Sequence, residues 1–122
     1  ASDVYKRQIN NLQTVNMSST GTYTVLAYPL NPYTGTGYVS TAKSITLNYT
    51  LVKPASGIVR DGTLKVLVFN TSTYVTDSFA VNSSSNGSVT FSAGVTLPDT
   101  ITVSCYNSGT SSTLMYNVTI RQ

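Results

Sequence analysis

The chain has no histidine, no glutamate and no tryptophan, and one cysteine among its 122 residues. Each absence removes a class of chemistry. Without an imidazole there is no base for a serine nucleophile of the Ser–His–acid kind. One thiol with no imidazole gives a transition metal nothing to build on. The carboxylates are four aspartates, Asp3, Asp61, Asp77 and Asp99, and a glycosidase needs two of them facing one bond. Asp61 and Asp99 read as turn residues that cap their own backbone. No Asp-x-Asp-x-Asp loop marks a calcium site. Thr34-Gly35-Thr36-Gly37 is not followed by a helix, as a phosphate-binding loop would be. The expectation is a protein that is not an enzyme, with no cofactor and no metal. Composition alone leaves a Ser–Lys nucleophile open.

Charge is scarce too. Charged residues make up 9 % of the chain, against the usual quarter or so. The net charge of +3 comes from seven scattered cations, and Lys6-Arg7 is the only adjacent pair. A nucleic-acid binder would gather such charges along one face with aromatics between them, so no nucleic-acid partner is expected. No apolar run approaches the ~20 residues of a membrane-spanning helix. The lone Cys105 falls in the row Ile101, Val103, Cys105, which reads as a buried small hydrophobe, with pairing between chains as the alternative.

What is abundant is Ser, Thr and Asn, with β-branched and aromatic residues spaced between turn signals. Thr63-Leu64-Lys65-Val66-Leu67-Val68-Phe69, set off by Asp61-Gly62, is apolar on both faces and reads as a central strand covered on both sides. Residues 44–51 alternate most cleanly, with Ile45, Leu47, Tyr49 and Leu51 inward. Residues 22–28, 74–81, 89–93, 101–105 and 114–120 read as further strands, and 9–20 as an edge strand or a lead-in. Asp77 breaks its strand's pattern by sharing a side with Val75, Phe79 and Val81, which a bulge or a sheet edge would explain. The pattern predicts a single all-β sandwich of about seven mostly antiparallel strands. Its expected core is Ile45, Leu47, Leu51, Val66, Val68, Phe91, Ile101, Val103, Val118 and Ile120.

Leu97-Pro98-Asp99-Thr100-Ile101-Thr102-Val103 resembles the corner of immunoglobulin-like and fibronectin type III-like modules, where a Leu-Pro turn feeds a buried strand. The run from Gly62 through Tyr106 resembles bacterial surface modules of that kind. The chain departs from the pattern at Ile101, near where a corner tyrosine would stand, and in lacking Trp and a second Cys. A second resemblance is to small-virus capsid proteins, in which a strand like 44–51 followed by Lys53-Pro54 closes a jelly roll. The two resemblances imply an Ig-like or jelly-roll-like sandwich. The first eight residues resemble translated sequencing-adapter read-through in metagenomic assemblies, with Val4-Tyr5-Lys6-Arg7-Gln8 carrying the likeness. The expected organisation is a non-native or disordered lead over 1–8 and a sandwich domain over 9–122, closing at a natural domain edge.

Two sets of residues bear on binding. Of nine tyrosines, Tyr28, Tyr33 and Tyr38 flank one loop rich in Asn, Pro and Gly. Tyrosine beside Asn and Thr suits a sugar- or protein-binding surface, and it is also a favoured strand residue. Asn-x-Ser/Thr triplets begin at Asn16, Asn48, Asn70, Asn82, Asn86 and Asn117, and Asn48, Asn70 and Asn117 are the candidate glycan acceptors. The functional expectation is a structural or adhesive module of a secreted, cell-surface or appendage protein. A viral capsid or protruding-domain protein and a carbohydrate-binding module are the alternatives. Partners are then a protein, through self-association, or a glycan surface, in an extracellular, cell-surface or virion setting.

Overall fold

The computed structural model describes residues 6–29, 43–69, 72–83, 87–96 and 100–121. Among these residues eight strands form two antiparallel sheets. They are β1 (Lys6–Met17), β2 (Gly21–Pro29), β3 (Lys43–Lys53), β4 (Ile58–Phe69), β5 (Ser72–Val81), β6 (Val89–Thr96), β7 (Thr100–Asn107) and β8 (Ser112–Arg121). The larger sheet has the order β1-β8-β3-β4-β5 and the smaller β2-β7-β6. The expected all-β sandwich is therefore present, with β1 as an edge strand that also takes in residues 6–8 of the expected lead, paired with β8. Among the described residues no helix is long and apolar enough to cross a membrane.

The core forms where the inward rows of the two sheets meet. Alternation along β3 sends Ile45, Leu47, Tyr49 and Leu51 inward, and all four are buried. Register then aligns them with neighbours across the sheet, Ile45 with Val66 and Ile120, and Leu47 with Leu64 and Val118. Phe91, Ile101, Val103 and Cys105 close the core from the smaller sheet. Every residue of the expected core is buried.

The stretch at 63–69 differs from expectation in three ways. The strand starts at Ile58 and runs straight through Asp61-Gly62, with no break. It is not central; β3 holds the middle of the larger sheet, and β4 lies between it and the edge strand β5. Only its inward row is covered. Leu64, Val66 and Val68 are fully buried, whereas Leu67 and Phe69 are 45 % and 49 % exposed. The apolar outer row has Tyr74 for a cross-strand neighbour at Leu67, and among the described residues no second layer lies above it. Asp61, read as a turn residue, is exposed in mid-strand and accepts a hydrogen bond from Thr50 Oγ1 at 2.8 Å.

β2 explains why its own alternation is indistinct. Its pairing with β7 shifts register between Thr24 and Leu26, a bulge at Val25. The extra residue lets Val25 and Leu26 both turn toward the core. It also frees the Val25 carbonyl from the ladder, and that carbonyl accepts the Tyr116 hydroxyl from the opposite sheet.

Candidate functional site

Three groups of polar or aromatic side chains stand out, and the first sits where the inward row of β4 continues past Leu64. Two residues back from Leu64 is Gly62, and two further is Arg60, which alternation places in the interior and which is 2 % exposed. Gly62 is held between Tyr49 on β3 and Phe79 on β5. A Cβ at Gly62 would lie 2.6 Å from both Phe79 Cβ and the Ser78 carbonyl oxygen, so only glycine fits there without displacing β5. The guanidinium of Arg60 takes up the space among the rings, with its carbon 3.8 Å from the Phe79 centroid, 5.8 Å from Phe91 and 5.9 Å from Tyr49. Its donors are directed at three different strands. Nε donates to Tyr49 Oη at 3.1 Å, one terminal nitrogen to the Val89 carbonyl at 3.1 Å, and the other to Asp77 Oδ2. Asp77 Oδ1 accepts the Tyr49 hydroxyl at 2.7 Å.

Asp77 is thus the partner of a buried cation, and the irregularity on β5 is resolved as a sheet edge without a bulge, since β4 and β5 pair in continuous register. A buried charge is tolerable only when paired and hydrogen-bonded, and both conditions are met here. Burial, with the bond to Asp77 next, pushes the Tyr49 hydroxyl well above its ordinary range, so it remains a neutral donor.

The second group closes one end of the sandwich. The inward row of β3 continues from Leu51 to Lys53, which is 3 % exposed. Its Nζ donates three bonds, each 2.9 Å, to Asn107 Oδ1 and to the carbonyls of Ser108 and Thr110. An ammonium has three donors, and all are used. Burial pulls its pKa below the ordinary lysine value. Asn107 is fully buried; its Oδ1 also accepts the Ser112 hydroxyl, and its Nδ2 donates to the carbonyls of Ser19 at 3.0 Å and Thr110 at 3.2 Å. One amide therefore ties the β1–β2 turn, the end of β3 and the β7–β8 turn together. Among the described residues no buried side-chain polar atom lacks a partner.

The third group is the outer face of the larger sheet. An open depression of about 290 Å³ there is lined by Leu12, Asn48, Asp61, Thr63 and Asn117, among others. Asn48 lies opposite both Thr63 and Asn117, and its Oδ1 accepts the Thr63 hydroxyl at 3.0 Å.

The residues singled out in the sequence fall as follows. Tyr28 is half-buried and packs against the core, while Tyr33 and Tyr38 lie outside the described residues. Asn48 is exposed and Asn117 half-buried, on neighbouring strands of that outer face; Asn70 and Asn86 lie outside the described residues. Asn16 is exposed. Asn82 is exposed and extends the β4–β5 ladder, its Oδ1 accepting from the Val59 N–H at 2.9 Å and its Nδ2 donating to the Gly57 carbonyl at 3.1 Å. Asp99 and the Leu97-Pro98 corner are outside the described residues as well. Cys105 is fully buried, and burial pushes its thiol up to about 12. Among the described residues no three ligands of the His, Cys, Asp or Glu kind gather as a metal would require. One Ser-x-x-Lys spacing occurs, at Ser40-Thr41-Ala42-Lys43; Ser40 lies outside the described residues, and Lys43 opens β3.

Sequence reasoning missed Arg60 and Lys53. The signal was present, since each stands two or four positions along an inward row already recognised. No family model matches the chain, and no curated protein matches it either.

Proposed function

We propose that this domain is a non-enzymatic structural or adhesive β-sandwich module, of the kind carried by secreted, cell-surface or appendage proteins. One observation carries the reading. The guanidinium, carboxylate and phenol that could serve acid–base chemistry, Arg60, Asp77 and Tyr49, are bonded to one another and to the Val89 carbonyl of the opposite sheet. They act as a cross-tie between layers. The weakly charged outer face, with Ser44, Thr46, Asn48, Thr50, Thr63 and Thr119 on its strands, fits a surface that meets solvent or a partner. The test is a panel of hydrolase substrates together with a glycan array. No turnover and no glycan binding are the expected results. Turnover abolished by Asp77→Ala, or a glycan signal lost on Tyr28→Ala, Tyr33→Ala or Tyr38→Ala, overturns the proposal.

A second reading, a capsid-type subunit, has one observation in its favour. In an immunoglobulin constant-type sandwich the first two strands are neighbours in one sheet. Here β1 and β2 lie in different sheets; β1 pairs with the last strand, β8, and β2 with the one before it, β7. This nesting of outer pairs supports jelly-roll-like winding as the finer description. Regular closed particles in electron micrographs of the purified protein would favour the capsid reading over the surface module.

A further inference from the structure

Among the described residues, the edge strand β5 has β4 as its one neighbour and leaves a row of backbone groups without a partner. Asn82 N donates to the Val59 carbonyl at 3.1 Å, and the β4–β5 register is unbroken. The antiparallel alternation then turns the N–H and C=O of even-numbered β5 residues toward β4. Those of Thr73, Val75, Asp77, Phe79 and Val81 point away from the sheet. Edges of this kind are usually blunted by Lys, Pro, a bulge or an inward-pointing charge; β5, Ser-Thr-Tyr-Val-Thr-Asp-Ser-Phe-Ala-Val, has no Lys, no Pro and no bulge, and only Asp77 as an inward-pointing charge. Its one charge, Asp77, is held by its own Arg60. Exposed apolar side chains collect around it on both faces, Leu67, Phe69 and Tyr74 on the outer one and Val75 and Phe79 on the inner, each 38–60 % exposed.

We propose that two copies of this chain pair edge to edge through β5, antiparallel about a two-fold axis at Asp77, to make one continuous ten-stranded sheet from two five-stranded ones. A second copy is the occupant because the strand is complementary to itself. With Asp77 on the axis the two strands overlap over residues 73–81, about 30 Å for nine of the ten strand residues. The outward-pointing backbone row of one copy meets the same row of the other. Val75 of each copy then lies opposite Phe79 of the other, so the two half-exposed inner residues cover each other. A shift by two residues in either direction brings an apolar residue opposite Asp77. The carboxylates at the axis stay neutralised by their own guanidinium groups, and a net charge of +3 per chain opposes association only weakly. The interface is isologous and closes at two. It does not depend on whether the domain is structural, adhesive or otherwise.

Sedimentation velocity of the full chain at rising concentration, with two variants and one cross-link, tests the proposal. The expected result is a monomer–dimer equilibrium. Val75→Lys should weaken the dimer at least about tenfold, a loss of about 1.4 kcal/mol, while leaving the far-UV spectrum unchanged. Leu12→Lys, on the opposite edge strand, should leave the dimer as it was. Cross-linking fixes the register independently. A Thr76→Cys chain mixed with a Ser78→Cys chain should give a disulfide-linked dimer on mild oxidation, and neither chain alone should do so. A monomer up to about 1 mM, a dimer indifferent to Val75→Lys, open-ended oligomers, or cross-links in the unmixed chains would each overturn it.

Discussion

Arg60 ties three strands together, because its bonds reach β3, β5 and β6 at once. Removing one member of a buried ion pair leaves the other uncompensated, at a cost of about 3–5 kcal/mol. Asp77→Ala should fall toward the lower figure, since the Asp77 side chain is 20 % exposed and water can reach the vacated place. Urea unfolding measures this. A double-mutant cycle with Arg60→Met should show the second change costing far less than it does alone. Gly62→Ala should destabilise by about 1–3 kcal/mol, because the added methyl overlaps Phe79 Cβ and the Ser78 carbonyl oxygen. The pH dependence follows from burial. The Cys105 thiol, at 9.0 when unperturbed, is pushed up to about 12 by desolvation, and Tyr49 and Tyr116 are raised for the same reason. Raised values mean that the fold favours the protonated forms. Their contribution is fully present below pH about 9 and is lost as pH climbs toward 12. The melting temperature should therefore fall steadily across that interval. Cys105→Ala should remove a share of the slope worth at most about 4 kcal/mol.

Among the elements, β3 and β1 mark the extremes of what a strand contributes. β3 has neighbours on both sides and a fully buried inward row, so Leu47→Ala should cost about 2–5 kcal/mol. Leu12→Ala on the edge strand β1, where the side chain is 61 % exposed, should change the urea midpoint very little. The same contrast governs what could be read from sequence. Residues 44–51 were legible because one face meets a core and the other meets water, and period-two alternation records that difference directly. On β4 the rule misled. An apolar outer row suggested a second covering layer, but Leu67 and Phe69 stay at the surface beside Tyr74. Asp61-Gly62 resembled a turn, whereas Gly62 is there for close approach to β5 and needs no turn geometry. Lys53 and Arg60 were hidden by the habit of ending an inward row at its first charge. Their partners, Asn107 and Asp77, lie 54 and 17 positions away, and no local pattern carries that pairing.

At the scale of the molecule, the two sheets are joined by ties at separate places: Tyr116 to the Val25 carbonyl, Arg60 to Val89, Thr73 to the Ala93 carbonyl, and Lys53 to Asn107. The last of these has a kinetic consequence. Asn107 bonds Ser19 across 88 positions and Lys53 across 54, so its four bonds require the front, middle and back of the chain to be assembled already. Closing such distant loops costs entropy before any contact compensates it, which places the Asn107 bonds late on the folding route and makes the all-β topology a slow one. The β3–β4 hairpin, joined by the turn at 54–57, and the β4–β5 pair, whose strands are near neighbours in sequence, can form before it. A chevron plot should separate the two. Asn107→Ala should steepen the population of open molecules almost wholly by raising the unfolding rate, with a φ-value near zero, while Val66→Ala in the hairpin region should slow refolding. The amide that locks the end of the sandwich would then act as a latch, indifferent to how fast the domain is made and decisive for how long it lasts.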